Sequence, residues 1–239
     1  MSSIYQNILQ SKSKKERLLA ILLDPDKIDW QNLNRLISKI NQSPATHIFI
    51  GGSQVFSNKI DELVSEIKKN CILPILLFPG NPSQISDKAD GILFLSLISG
   101  RNPDFLIEHQ VKAAPILKKS KLEIIPTGYI LIDGNNETAV AKISKTNPIP
   151  IENPNLILAT AQAGEMLGKK LIYLEAGSGA KNPVPTGIIT LISQNTEIPL
   201  IVGGGIVTLD GIKKAHESGA DLVVIGTAFE NNSNFFNHD

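Results

Sequence analysis

The 239-residue chain has one cysteine, four histidines and a single tryptophan, only 5% of it is aromatic, and its formal net charge is zero. Each shortage removes a class of function. A lone Cys71 rules out an internal disulfide framework and any cysteine-based zinc or iron–sulfur site, which suits a reducing, cytoplasmic setting. With nothing nearby to lower its pKa, Cys71 reads as a small residue at the core edge rather than a nucleophile. His47 opens an apolar run, His109 and His216 fall within helical patterns, and His238 lies in the tail, with no HExxH pairing to join them as metal ligands. Lys plus Arg and Asp plus Glu both number 23, so no basic footprint points to nucleic acid, and the aromatic residues are too scattered for a base-stacking surface. The first stretch, MSSIYQNILQSKSKKE, carries no apolar signal core, and no run approaches the ~18 residues that span a bilayer. A soluble protein is expected, in transient contact with a membrane surface at most.

What the chain does have is branched aliphatic residues in a regular series. Hydrophobic residues make up 42% of it, enough for a large core. Eight apolar runs read as buried parallel strands: RLLAILL, HIFI, LPILLF, GILFLS, LEIIPTGYIL, LIYLE, PLIVG and ADLVVIG. Nearly every one ends in glycine, proline or an acid. Helical stripes alternate with them: Leu33, Leu36, Ile37 and Ile40 behind an Asp29 cap, Ile60, Leu63, Val64 and Ile67, the Pro103 to Lys119 segment, and a helix begun by Asn153 and Pro154. Eight βα units in this length predict one domain over residues 1–239, a (β/α)8 TIM barrel whose active site lies at the carboxyl ends of its strands. An open doubly wound sheet is the alternative, weakened by the lack of GxGxxG after the first strand. Three departures from regularity are expected. NPSQISDKAD is too short for a full third crossover helix, Leu131 to Glu152 reads as a long irregular loop, and the last helix is short or frayed.

The most informative stretch is LIYLEAGSGA, Leu171 to Ala180. In an extended strand Leu171, Tyr173 and Glu175 share one face while Ile172 and Leu174 take the other, so a phenol and a carboxylate point the same way at the strand's end. Gly177, Ser178 and Gly179 then let backbone N–H groups approach an anion. Read alone, the stretch is equally an ordinary buried strand and turn. Two more glycine turns, at Gly203 and Gly204 and at Gly226 and Thr227, close the seventh and eighth strands, and in barrels the last loops often build a phosphate site. Across the barrel mouth, DPDK from Asp24 and GGS from Gly51 offer the Asp24 carboxylate and Ser53 hydroxyl, hard oxygen ligands suited to Mg2+, although DPD taken alone is better explained as a solvated turn with Asp29 as cap.

In order along the chain, LLDPDK, IFIGGSQ, LLFPGNPSQIS, SLISGRNPDFLI, YLEAGSGA, IVGGGI and VVIGTAFE resemble the geranylgeranylglyceryl phosphate synthase and heptaprenylglyceryl phosphate synthase family of barrel prenyltransferases. GYILIDG and SGRN resemble its larger, archaeal-type group. The resemblance implies transfer of a polyprenyl group, geranylgeranyl first among them, from its diphosphate to the C3 hydroxyl of sn-glycerol 1-phosphate. It implies Mg2+ on Asp24 and Ser53, and glycerol 1-phosphate on Tyr173, Leu174, Glu175, Ala176, Gly177, Ser178, Gly179, Gly203, Gly204, Gly226 and Thr227. Glu175 would be the general base, with Tyr173 orienting the acceptor. Arg101 would meet the diphosphate or restrain a lid, Phe105 stands where relatives often carry tryptophan, and a homo-oligomer is implied. Other readings of the same residues are a sugar-phosphate isomerase and a non-catalytic phosphate- or lipid-binding barrel; a Schiff-base aldolase is disfavoured, because the sixth strand carries no lysine.

Overall fold

The computed structural model describes residues 3–53, 55, 59–135 and 137–236; His238 lies outside them. Eight parallel strands close on themselves in chain order: β1 (Leu18–Leu23), β2 (His47–Ile50), β3 (Ile75–Leu77), β4 (Gly91–Leu97), β5 (Glu123–Leu131), β6 (Leu171–Glu175), β7 (Leu200–Gly203) and β8 (Leu222–Ile225), with β8 paired back onto β1. Strand alternation divides the core in two. Ala20, Phe49, Leu76, Leu93, Ile125, Leu171, Ile201 and Leu222 fill the barrel. Ile21, Ile48, Ile50, Ile172, Leu174, Val202 and Val223 face outward under the helices.

That outer layer is covered by α2 (Leu33–Gln42), α3 (Ile60–Asn70), α4 (His109–Leu117), α6 (Pro154–Met166), α7 (Thr186–Asn195) and α8 (Leu209–Glu217). The expected stripes are the buried ones: Leu33, Ile37 and Ile40 on α2, and Ile60, Leu63, Val64 and Ile67 on α3. Asp29 caps a short 3-10 turn ahead of α2 through a bond from the Gln31 N–H. A π turn, Asp104–Glu108, leads into α4 and sets the Phe105 ring edge-on to His109 at 4.7 Å. Cys71 is buried at the end of α3.

The third connection has no crossover α-helix. Between β3 and β4 stands only a 3-10 turn, Pro82–Gln84, so Ile92 and Phe94 of β4 face a gap instead of a helix. The Leu131 to Glu152 region is more ordered than the sequence predicts. It contains α5 (Ala139–Ser144), capped by Thr138, and a bridge between Ile132 and Ile149. The last helix, α9 (Thr227–Asn231), is short as expected.

One element was not predicted at all. Residues Ile4–Lys14 form α1, capped by Ser3, and its Ile4 and Ile8 join the barrel-interior cluster. Glu123 at the start of β5 accepts from the Ile4 and Tyr5 N–H groups at 2.6 and 2.9 Å, tying the free amides of the helix start to the barrel floor. The opposite end, where strands deliver their carboxyl termini, stays open.

Candidate active site

Strand register assembles the centre of the open end. Glu175 of β6 pairs with Leu131 of β5 and Gly203 of β7, while Tyr173 lies beside Tyr129. Tyr173 and Glu175 do face the same way, into the barrel, and Glu175 is buried with 6% exposure. The Gly177 N–H donates to Glu175 Oε1 at 2.7 Å, folding the turn after β6 back over the carboxylate. Burial pushes the Glu175 carboxyl up to about 7, against the opposing pull of the Gly177 amide and the neighbouring Tyr173 hydroxyl. That value places its proton exchange at neutral pH, where a general base is most useful. The Tyr173 and Tyr129 hydroxyls are held well above the ordinary phenol value, first by burial and then by the nearby carboxylate. Tyr173 Oη is a buried atom without a hydrogen-bond partner of ordinary geometry, although it lies close enough to Glu175 for each to perturb the other.

Around this carboxylate the glycine turns converge. A Cβ on Gly203 would collide with the Tyr173 hydroxyl and stand 3.0 Å from Glu175 Oε2. Gly204, at φ +82°, has Glu175 and the Ala176 and Gly177 amides against the face where a side chain would stand. Ser178 and Gly179 are exposed at the rim, and Gly226 and Thr227 stand at the start of α9 on the adjoining strand end. Two members of the predicted set point elsewhere: the Leu174 and Ala176 side chains belong to the outer core layer, so only their backbones reach this side.

On the other side of the mouth, Asp24 follows β1, and its Oδ2 would lie 3.3 Å from a Cβ on Gly52, the residue before Ser53. Asp24 Oδ1 accepts from the Asp26 N–H at 3.1 Å. The GGS turn is fixed by a residue that sequence reading overlooked: buried Gln84 accepts from the Gly52 and Gly80 N–H groups at 3.4 and 3.1 Å and donates to the Gly52 carbonyl at 3.0 Å. Among the described residues no three or more His, Cys, Asp or Glu side chains converge on one point. One carboxylate and one hydroxyl fit Mg2+, an ion that takes few protein oxygens and fills its other positions with water and substrate phosphate. Arg101, in contrast, turns its guanidinium back onto the Ile98 and Gly100 carbonyls at 3.1 and 2.6 Å.

An apolar groove opens beside the Gly52 and Ser53 turn. It runs from Ser53 and Tyr129 along the gap left by the missing third helix, between Phe94 of β4 and Phe105 and Ala113 beside it. Phe78 packs at 5.2 Å against Tyr173 and at 6.0 Å against Tyr129, forming the wall between groove and carboxylate. The sequence hid this groove because it is made by an absence between distant segments.

The geometry thus offers glycine turns around a buried carboxylate, with an apolar groove on the other side of Phe78. Residues 11–238 match the model of the PcrB family. A geranylgeranylglyceryl phosphate synthase of Flavobacterium johnsoniae is 68% identical over 236 residues, covering 99% of this chain and 97% of that protein. One of Zunongwangia profunda is 52% identical, covering 97% of this chain and 98% of that protein. The crystal structure of (S)-3-O-geranylgeranylglyceryl phosphate synthase from Thermoplasma acidophilum, in complex with sn-glycerol-1-phosphate, superposes with a TM-score of 0.92 at 33% identity, covering 99% of this chain and 95% of that one. By sequence over nearly its whole length and by fold, the chain belongs to the PcrB family.

Proposed function

We propose that the protein transfers a polyprenyl group, geranylgeranyl foremost, from its diphosphate to the C3 hydroxyl of sn-glycerol 1-phosphate, giving an ether and free diphosphate. The observation that carries this reading is Glu175, buried against the Gly203 and Gly204 turn, with an apolar groove on the other side of the Phe78, Tyr129 and Tyr173 rings. The names of the relatives and the ligand of the Thermoplasma acidophilum structure support it.

Each part of the site then has a task. The amides of Ser178 and Gly179, with Gly204, Gly226 and Thr227, receive the phosphate of the acceptor, while the Gly177 N–H holds Glu175. Glu175 accepts the proton of the C3 hydroxyl as its oxygen bonds to the prenyl C1, while the C1–O bond to diphosphate breaks and its electron pair leaves with the diphosphate. Tyr173, next to that carboxylate, orients the acceptor. The groove holds the prenyl chain and keeps water from the allylic carbon. Asp24 and Ser53 are the residues that would hold Mg2+, whose chemistry is to neutralise the charge gathering on the leaving diphosphate. A cytoplasmic homo-oligomer is the expected setting; the exposed Ile107, Val111, Met166 and Leu167 support self-association, and no helix among the described residues is long and apolar enough to cross a membrane.

Incubation with labelled sn-glycerol 1-phosphate, Mg2+ and prenyl diphosphates of graded length, followed by product identification, tests the reading. A prenyl ether of glycerol phosphate is expected. No ether product at any chain length would overturn it and leave a binding barrel.

A further inference from the structure

Lys27 sits between two carboxylates at the edge of the mouth. Its Nζ lies 3.5 Å from Asp24 Oδ2 and 3.4 Å from Glu230 Oε2. Glu230, on α9, also accepts the Asp24 N–H at 3.3 Å through its other oxygen. The side chains of Asp24 and Glu230 are 19% and 15% exposed, that of Lys27 51%. The carboxylates are therefore the fixed members and the ammonium the movable one. A hollow beside it, lined by Leu23, Ile28, Asn32, Arg35, Glu230 and Ser233, leaves Lys27 room to swing away from Asp24.

Asp24 Oδ1 accepts from the Asp26 N–H and its Oδ2 faces the Lys27 ammonium, so a divalent cation at Asp24 meets a resident positive charge on the same carboxylate. Two cations on one carboxylate repel each other strongly at such range. We propose that Lys27 is the resident counter-ion of Asp24, displaced onto Glu230 when a divalent cation binds, and that Glu230 is the positioning residue for both. The proposal rests on the reading of Asp24 as a metal ligand. It goes beyond that reading in giving Lys27 and Glu230 opposite effects on metal affinity. Removing Lys27 removes the competitor. Removing the charge of Glu230 leaves Lys27 with Asp24 as its one carboxylate among these contacts, so metal entry becomes harder.

The test is Mn2+ titration of the full-length protein, followed by the electron paramagnetic resonance signal of the free ion, with Mg2+ as competitor. Lys27→Met is expected to tighten Mn2+ by about three- to tenfold. Glu230→Gln, whose amide oxygen still accepts from the Asp24 N–H, should weaken it by a similar factor, and the double variant should bind like Lys27→Met. Misfolding weakens binding and cannot imitate a gain. Asp24→Asn separates the two levels. If it leaves Mn2+ binding unchanged, or the parent protein binds none, the metal reading falls and this proposal with it. If Asp24→Asn abolishes binding while Lys27→Met binds no tighter than the parent, the counter-ion proposal alone is overturned.

Discussion

The α-carbon of Gly204 turns the face that would carry a side chain toward the Glu175 carboxylate, at a φ of +82° that L side chains rarely adopt. A methyl there would meet Glu175 Oε1 and stand 2.6 and 2.9 Å from the Gly177 and Ala176 amide nitrogens. Gly204→Ala is therefore expected to do two things. Backbone strain and overpacking cost about 2–4 kcal/mol of stability, and displacement of the carboxylate by about 1 Å lowers kcat/KM on the order of a hundredfold. Thermal denaturation and steady-state kinetics on the same preparation check both.

Glu175→Gln separates catalysis from binding. The Gln side chain retains an oxygen to accept the Gly177 N–H but cannot take a proton from the acceptor hydroxyl. Turnover should fall about 10²- to 10⁴-fold while glycerol 1-phosphate binding persists. Near-normal turnover would remove Glu175 from its role.

The same substitution should stabilise the fold in alkaline solution. The folded-state pKa of Glu175 is raised from 4.5 to about 7, so folding favours the protonated carboxyl. Its contribution to stability is then fully present below pH 4.5, declines as pH rises toward 7, and is absent above that. Ionising the buried carboxyl costs about 3 kcal/mol at pH 8. Glu175→Gln should accordingly raise the melting temperature at pH 8 and have little effect near pH 4.5. A lower melting temperature at pH 8 would show that burial is not what perturbs this group.

Activity must follow the opposite course, because the base works ionised. The kcat/KM of the parent enzyme should climb about tenfold per pH unit below about 7 and level off above it. Since the Tyr173 hydroxyl pulls the Glu175 pKa down, Tyr173→Phe should move the midpoint upward. A pH–rate series on both proteins measures the difference.

The eight strands were legible because buried parallel strands read as unbroken aliphatic runs, and period-two alternation placed Tyr173 and Glu175 on one face, which closure of the barrel makes the interior one. The short third connection was legible from its length. What it creates was not: the groove draws Phe78, Phe94, Phe105 and Ala113 together from segments that no local pattern links. Gln84 looked like one polar loop residue among several, and only its burial against Gly52 and Gly80 shows that it shapes the mouth. The first helix escaped notice because its buried apolar contacts are just Ile4 and Ile8, too few to make a stripe in a polar stretch. The elevated pKa of Glu175 is likewise a property of enclosure, which a strand pattern does not carry.

The overlooked helix yields a prediction of stability without chemistry. Ile8 is completely buried in the barrel-interior cluster, and α1 docks at the strand end opposite the carboxylate. Ile8→Ala should cost about 2–5 kcal/mol, read from denaturant unfolding, with kcat/KM unchanged at temperatures where the variant stays folded.

Prenyl length selection should reside in the groove. Ala113 is a small residue on α4, buried to 6% exposure on the groove wall near Phe94 and Phe105. Replacing it with phenylalanine adds a ring to space that a long chain would occupy, whereas a short chain held near Tyr129 and Ser53 would not extend that far. Ala113→Phe is therefore expected to lower kcat/KM for geranylgeranyl diphosphate by about tenfold or more while sparing geranyl diphosphate. Overpacking of the α4 contact costs about 1–3 kcal/mol, but that loss would affect both substrates alike in the folded enzyme. The ratio of the two kcat/KM values is thus the proper measurement, and an unchanged ratio would place the prenyl chain somewhere other than this groove.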